Sequence, residues 1–371
     1  MATIHATLAL NLQQPLLAAA FPLLAAAEVD ALEWSFDTWD EKAIPPWFEE
    51  VLLAFAQQRR LVGHGVFFSI FSARWTPAQA QWLQQLRRLH ERFSFDHISE
   101  HFGFMTGADF HKGAPMSVPL TETTLHIGVD RLRRIQDAVT CPVGLENLAF
   151  AFSADDVARQ GAFMERLLAP INGFLILDLH NLYCQLHNFR ADATRLLASY
   201  PLHLVREIHI SGGSWATPPI QGGTIVRRDT HDSQVPDEVF ALLEMAIPLC
   251  PNLRYVTLEQ MGSSLNSELA SATFRTDFQR MKALANLPTN ITSSATDTWA
   301  APATPFQADP ATDEALFQQQ RTLATILETS PDVATAKERL QQSSLAQSAW
   351  GIEKWDDTML HTALDIAQKW A

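Results

Sequence analysis

Up to about residue 285 the chain alternates short apolar runs with longer stretches in which apolar side chains recur every three to four positions. The short runs are 8–12, 30–36, 61–70, 95–101, 143–149, 173–179, 204–211 and 254–259. Most have the form expected of parallel strands buried on both faces. Between them, 45–59, 77–92, 121–139, 154–168 and 236–247 read as amphipathic helices. Thr76-Pro77 and Ser153-Ala154-Asp155-Asp156 place a capping side chain, then proline or acids, at a helix start. Eight strands, each followed by a helical stretch, is the count of a (β/α)8 barrel. The rival, a doubly wound open sheet, usually carries a glycine-rich first turn, and none is present. The expected fold class is α/β, a (β/α)8 TIM barrel with a C-terminal helical extension.

Residues 286–312 are rich in Pro, Thr, Ser and Ala and read as a linker. They separate a barrel domain, 1–285, from an extension, 313–371, with helices expected over 313–327, 332–340 and 356–370. The apolar positions Leu316, Phe317, Leu323, Ile326 and Leu327, then Met359, Leu360, Ala363, Leu364 and Ile366, suit packing against a neighbour. A tail of about 60 residues has a marginal core of its own, so it is expected to dock. Trp350, Trp355 and Trp370 look exposed on it, which raises the alternative of a scaffold whose tail recruits a partner.

Composition narrows the function classes. With 371 residues, 47% hydrophobic and 18% charged, the chain can bury a large core; disordered, collagenous and disulfide-stapled classes are excluded. The net charge of −14 gives no general attraction to nucleic acid or anionic lipid, so neither is an expected partner. Cys141, Cys184 and Cys250 show no CxxC spacing, which points to a reducing compartment. Residues 16–27 look like a signal core, but no Lys or Arg precedes them and Pro22 interrupts them. No apolar run of about 18 residues exists. The expected location is the cytoplasm.

All thirteen histidines except His5 and His361 fall between His64 and His231. More informative is their placement. Successive strands each carry one metal-capable residue: His64, His101, Glu146, Asp178, His209 and Glu259, on the third to the eighth. In a barrel the C-terminal strand ends converge on one mouth. Six such donors meeting there would repel or desolvate one another unless protonated or bound to a cation. The loop after the seventh strand adds Asp229-Thr230-His231, two donors at i and i+2 that an extended backbone would turn to one side. Asp178-Leu179-His180-Asn181 offers more. So many donors exceed one ion and fit two or three, with Glu146 and Asp178 as natural bridges. Histidine with carboxylate suits Zn, Mn or non-heme Fe, and the absence of thiolate disfavours a structural zinc site or an iron–sulfur cluster. His90 and His203 are expected on the surface. His187 is either a ligand or a loop residue, Cys184 a buried inert thiol, and Trp215 a candidate wall of a substrate groove.

The segments Gly63-His64-Gly65-Val66, Ile98-Ser99-Glu100-His101, Gly144-Leu145-Glu146-Asn147 and Leu177-Asp178-Leu179-His180-Asn181 occur in this order. Glu207-Ile208-His209-Ile210-Ser211-Gly212, Asp229-Thr230-His231 and Leu258-Glu259 follow them. The ordered set resembles the multinuclear non-heme iron-dependent oxidative enzymes over roughly residues 5–285. That resemblance implies a TIM barrel holding two or three irons in mixed Fe2+/Fe3+ states, with O2 as co-substrate. It implies a ribosomally made precursor peptide as substrate, often modified at cysteine, and a possible leader-binding partner protein. By the same resemblance His64, His101, Glu146, Asp178, His209, Asp229, His231 and Glu259 match iron-ligand positions. Glu146, Asp178 and Asn181 are then the residues expected to take part in catalysis. Two departures stand out: Ser99-Glu100-His101 replaces the more usual Ser-Asp-His, and Gln260-Met261 follows Glu259 where Trp-Asp is common. Two other enzyme classes carry similar donor series. One is the tri-zinc endonuclease IV type of phosphodiesterase, whose Asp-x-x-His is here Asp178-x-x-Asn181. The other is the xylose-isomerase-like sugar isomerases and epimerases, with a single divalent ion.

Overall fold

A computed structural model describes residues 3–38, 43–107, 109–110, 112–220, 222–287, 306 and 308–370. Eight parallel strands close a barrel: β1 His5–Ala9, β2 Ala31–Trp34, β3 Leu61–His64, β4 Ile98–His101, β5 Val143–Glu146, β6 Phe174–Asp178, β7 Val205–Ile210 and β8 Tyr255–Leu258. Each pairs with its chain neighbours, and β8 closes on β1 through His5–Tyr255 to Leu8–Leu258. The helices are α1 Gln14–Ala25, α2 Pro46–Ala56, α3 Pro77–Phe93, α4 Glu122–Ala138, α5 Ala154–Leu168, α6 Leu179–Phe189, α7 Ala193–Ala198, α8 Asp237–Ala246, α9 Glu268–Ala285, α10 Glu314–Thr329, α11 Val333–Gln341 and α12 Asp357–Trp370. Two short antiparallel ribbons, Phe104–Met105 with Pro115–Met116 and Trp215–Ala216 with Val226–Arg227, decorate the loops after β4 and β7.

The period of two along each strand divides the buried residues into two sets. Leu8, Leu32, Leu61, Ile98, Leu145, Leu175, Ile208 and Val256 belong to the main apolar core. Two small clusters, Ala31–Val62–Tyr255 and Phe174–Ile176, stand apart from it on the alternate positions. Those alternate positions face the barrel interior, and so do His97, Ser99 and His101 on β4's side. Gly144 is required there: a Cβ would come within 2.3 Å of the Phe174 ring. The lower interior is polar. His97 Nε2 meets Glu207 Oε2 at 2.7 Å, Arg206 Nη2 donates to Asp96 Oδ2 at 2.8 Å, and the Thr257 hydroxyl donates to Glu207 Oε1.

The first strand lies at His5–Ala9, three residues before the expected 8–12. The third stops at His64 rather than running to residue 70: Gly65 N still donates to the Ser99 carbonyl at 2.8 Å, but the amides from Val66 on leave the sheet. Val66 and Phe67 donate their N–H groups to the Asp37 carboxylate, which also accepts from Trp82 Nε1 at 2.9 Å. The stretch resembling a signal core is α1, whose Leu16, Ala19, Ala20 and Leu23 are buried. Pro22 lies within it without ending it. Helices α6 and α9 are the helical segments expected after the sixth and eighth strands, and α7 is a short addition between α6 and β7. Thr76 forms a full capping box with Gln79, and Ser153 caps α5. No helix among the described residues is long and apolar enough to cross a membrane.

Most of 286–312 lies outside the described residues. Beyond it, α10–α12 dock on loops that follow β3, β4 and β5, at the C-terminal face of the barrel. Gln320 donates to the Phe71 carbonyl at 2.7 Å and accepts from Ala73 N at 3.0 Å. Arg321 Nη1 donates to the Thr106 carbonyl at 2.6 Å. Trp355 stacks on Phe152 with centroids 3.7 Å apart and planes at 9°. Trp350 and Trp355 are thus buried, contrary to the exposure expected of them; Trp370 is 52% exposed.

Candidate metal centre

His64 and His101 end β3 and β4. His101 Nδ1 donates to the Gly65 carbonyl at 3.0 Å, and His64 Nδ1 lies 2.8 Å from Ser99 Oγ, which is also 3.4 Å from the Gly63 carbonyl. Since His101 Nδ1 donates, His101 Nε2 carries a lone pair, and it stands 3.3 Å from His64 Nε2. Glu146, at the end of β5, brings Oε2 to 3.1 Å from His64 Nε2 and 3.6 Å from His101 Nε2. Three potential ligand atoms therefore converge on one point.

The convergence continues around the mouth. Asp178 ends β6 and caps α6, its Oδ1 accepting from Asn181 N at 2.5 Å. Asn147 fastens its backbone on both sides, with Oδ1 on Asp178 N at 2.7 Å and Nδ2 on its carbonyl at 3.1 Å. His209, on β7, places Nδ1 at 3.3 Å from Glu259 Oε2 and 3.9 Å from Glu146 Oε2. Glu259 Oε2 is in turn 3.8 Å from His231 Nε2. Four sets of side chains offer donor atoms mutually within 4.8 Å: His64–His101–Glu146, Glu146–Asp178–His209, Asp178–His231–Glu259 and Glu33–His209–Glu259. Glu146 joins the first two sets and Asp178 the second and third.

Of the residues expected at the centre, Asp229 alone stands outside these four sets. Its Oδ1 is 2.9 Å from His231 Nε2 and 3.1 Å from His180 Nδ1. The extended Asp-x-His geometry does not hold, because His231 has a left-handed backbone with φ 51°. Asn181 turns its Nδ2 to Glu146 Oε1 at 3.1 Å and to the Asn147 carbonyl at 2.9 Å. Glu100 does not enter the mouth; its carboxylate accepts from Phe68 N and His101 N. His187 is exposed and bonds the Ile225 carbonyl. His203 is exposed, His90 half-buried against Thr140, and Cys184 fully buried, its thiol pushed up by that burial. Trp215 is half-exposed, with His187 against its edge and Arg227 over its face.

Sequence reasoning missed Glu33 and Glu207, whereas His97, expected to precede the important end of its strand, lies away from the mouth against Glu207. Glu33 was visible as a lone carboxylate within the apolar strand Ala31–Trp34, but its inward direction follows only from barrel closure.

The electrostatics fit a site for cations. Burial raises the Glu146 carboxyl, and it raises Asp178 well above the ordinary range with help from Glu146, Asp229 and Glu259. Burial opposes charge on His209 and His231 too. Glu33 and Glu259 outweigh it at His209, and Asp229 and Glu259 at His231, so both imidazoles are held well above their usual value. Glu259 is lowered despite burial by His209 and His231. Within this charged cluster Glu146 Oε2, Asp178 Oδ2, Asn181 Oδ1, Glu259 Oε2 and both His209 nitrogens are buried without a hydrogen-bond partner. Buried polar atoms are almost always satisfied, so a group of orphans at one point fits metal ions as the missing partners.

Comparison with known proteins gives the family. A UPF0276 protein of Caulobacter vibrioides is 30% identical over 184 residues, covering 49% of this chain and 62% of that protein. One of Shewanella oneidensis is 26% identical over 188 residues, covering 51% and 64%. The matches span less than two thirds of these relatives' own length. Among solved structures, an L-ribulose 3-epimerase superposes with TM-score 0.45 at 15% identity, over 76% of this chain and 91% of the other. A model of the RiPP precursor modification enzymes MbnB/TglH/ChrH matches residues 10–263, most of the barrel and every donor residue named above. The chain belongs to the MbnB/TglH/ChrH family of RiPP precursor modification enzymes.

Proposed function

We propose that this protein is a multinuclear non-heme iron enzyme that uses O2 to modify a ribosomally synthesised precursor peptide at a cysteine side chain. The observation that carries the metal reading is the convergence of His64 Nε2, His101 Nε2 and Glu146 Oε2, with the two nitrogens 3.3 Å apart and the carboxylate oxygen 3.1 and 3.6 Å from them. A cation there would be a common partner for all three atoms. His64, His101, Glu146, Asp178, His209, Asp229, His231 and Glu259 would hold the ions, Asp229 Oδ1 and His231 Nε2 being 2.9 Å apart. Glu146 and Asp178 link three of the donor sets, which favours three ions over two. Iron bound here would supply a Lewis acid and an electron store for oxidation by O2.

The protein's own groups do the rest. Gly65 fixes the tautomer of His101, Ser99 engages His64 Nδ1, and Asn181 and Asn147 hold Glu146 and Asp178 in place. Residues 1–285 carry the centre in this reading. Between α10 of the extension and the loops after β3 and β4 lies a cleft of about 530 Å³ lined by Phe67, Arg74, Phe104, Phe110, Phe317 and Arg321. A peptide reaching the barrel mouth from that side would pass it. A separate leader-binding protein is a further expected partner.

The test is anaerobic purification, a metal count, and incubation with Fe2+, O2 and a cysteine-bearing precursor peptide from a neighbouring reading frame. A peptide mass change that requires both iron and O2 supports the reading. His101→Ala and Asp178→Ala variants with full iron and full turnover would refute the ligand assignment; zinc as the isolated metal would refute the iron.

A further inference from the structure

Glu33 lies on β2, the strand to which the sequence assigned no role at the centre. It is 1% exposed, and neither carboxylate oxygen has a hydrogen-bond partner among the described residues. Its Oε2 is 3.1 Å from His209 Nε2, a contact close in distance but too oblique for a formed hydrogen bond. The other carboxylate near that nitrogen is Glu207, 3.6 Å away. Glu207 is already committed, accepting from His97 Nε2 at 2.7 Å and from the Thr257 hydroxyl. His209 therefore spans two faces of the interior. Nδ1 looks to the mouth, between Glu259 and Glu146, and Nε2 looks down to Glu33.

We propose that Glu33 is a positioning residue that accepts the Nε2 proton of His209 and so holds the Nδ1 lone pair toward the mouth. The inference rests on the metal reading above and deepens it. A ring bound through Nδ1 keeps its single N–H on Nε2, and Glu33 is the nearest acceptor with nothing else to bind. A carboxylate behind a metal-binding imidazole fixes the tautomer and strengthens the donor. This also accounts for a buried carboxylate that would otherwise lack any partner.

The test measures Fe2+ affinity anaerobically by competition with a chromophoric chelator, together with ions per chain at saturation. Glu33→Gln should leave the saturating count unchanged and weaken the affinity about 10–100-fold. In a His209→Gln background the same change should have almost no further effect, since Glu33 acts through that ring. Glu33→Asp, which keeps the charge but withdraws it, should fall between wild type and Glu33→Gln; it carries the same cycle if Glu33→Gln does not fold. A lower ion count at saturation would make Glu33 a ligand and overturn the proposal. Unchanged affinity, or equal losses in both backgrounds, would overturn it as well. Wild type that takes up no iron would instead refute the metal reading on which the proposal stands.

Discussion

Asn181 donates its Nδ2 to Glu146 Oε1 at 3.1 Å, which leaves Glu146 Oε2 alone to face His64, His101 and His209. The amide thus decides which oxygen of the carboxylate points into the centre. Asn181→Leu keeps the side-chain size and the backbone bond to Asp178 but removes the donor. Metal affinity should fall about 10–100-fold, the usual penalty for losing the group that orients a ligand. Thermal unfolding of the metal-free protein reports the structural part separately. Unchanged affinity would mean that Glu146 is oriented by something else.

The shared carboxylates make a prediction about stoichiometry. His101 belongs to one donor set, whereas Glu146 belongs to two. His101→Ala should lower the iron count by about one ion per chain, and Glu146→Ala by about two, since one carboxylate can give an oxygen to each of two ions. Elemental analysis of anaerobically reconstituted protein reads both. Equal losses for the two variants would contradict the bridging role.

The donor series was legible in sequence because parallel strands of a barrel deliver their last residues to the same rim. Knowing that His64, His101, Glu146 and Asp178 end strands was enough to bring them together. Glu33 and Glu207 escaped notice for the opposite reason. They sit within strands, where a polar residue could face either the interior or the helices, and only closure of β8 on β1 decides. Loop geometry escaped too: nothing in Asp229-Thr230-His231 announces that His231 takes a left-handed backbone and turns to Glu259. Trp350 and Trp355 looked exposed because an amphipathic tail without a visible partner leaves its large rings unassigned. The covering surface, Phe104 and Phe152, lies some 200 residues away in the barrel loops.

Metal binding should release protons. Asp178 and Glu146 are raised by burial, and His209 and His231 are raised by the carboxylates around them, so the metal-free centre holds protons above the ordinary pH of each group. Each must lose its proton to donate a lone pair. Affinity is then highest above these raised values and falls as the pH drops through them, the same sign as for a site of ordinary carboxylates but at higher pH. Calorimetry in two buffers of different ionisation enthalpy measures the protons released per ion. A buffer-independent heat would rule the prediction out.

The docked tail gives the last test. Trp355 is buried, lies flat on Phe152, donates Nε1 to the Trp350 carbonyl at 3.0 Å, and is followed by Asp356, whose N–H bonds the Phe152 carbonyl at 3.1 Å. Phe152 belongs to the loop between β5 and α5, so this one stack ties the extension to the rim that carries Glu146. Truncation to alanine removes the stacked ring and opens a cavity, which costs about 3–5 kcal/mol for a buried tryptophan. Two unfolding outcomes are distinguishable. If barrel and tail unfold together, Trp355→Ala lowers the single urea midpoint; if the tail unlatches first, a separate early transition appears while the barrel midpoint holds. Either leaves the iron count intact, because no donor atom of the centre comes from α10–α12. A loss below about 1 kcal/mol would mean that the stack contributes little to docking, and a lowered iron count would mean that the extension shapes the centre itself.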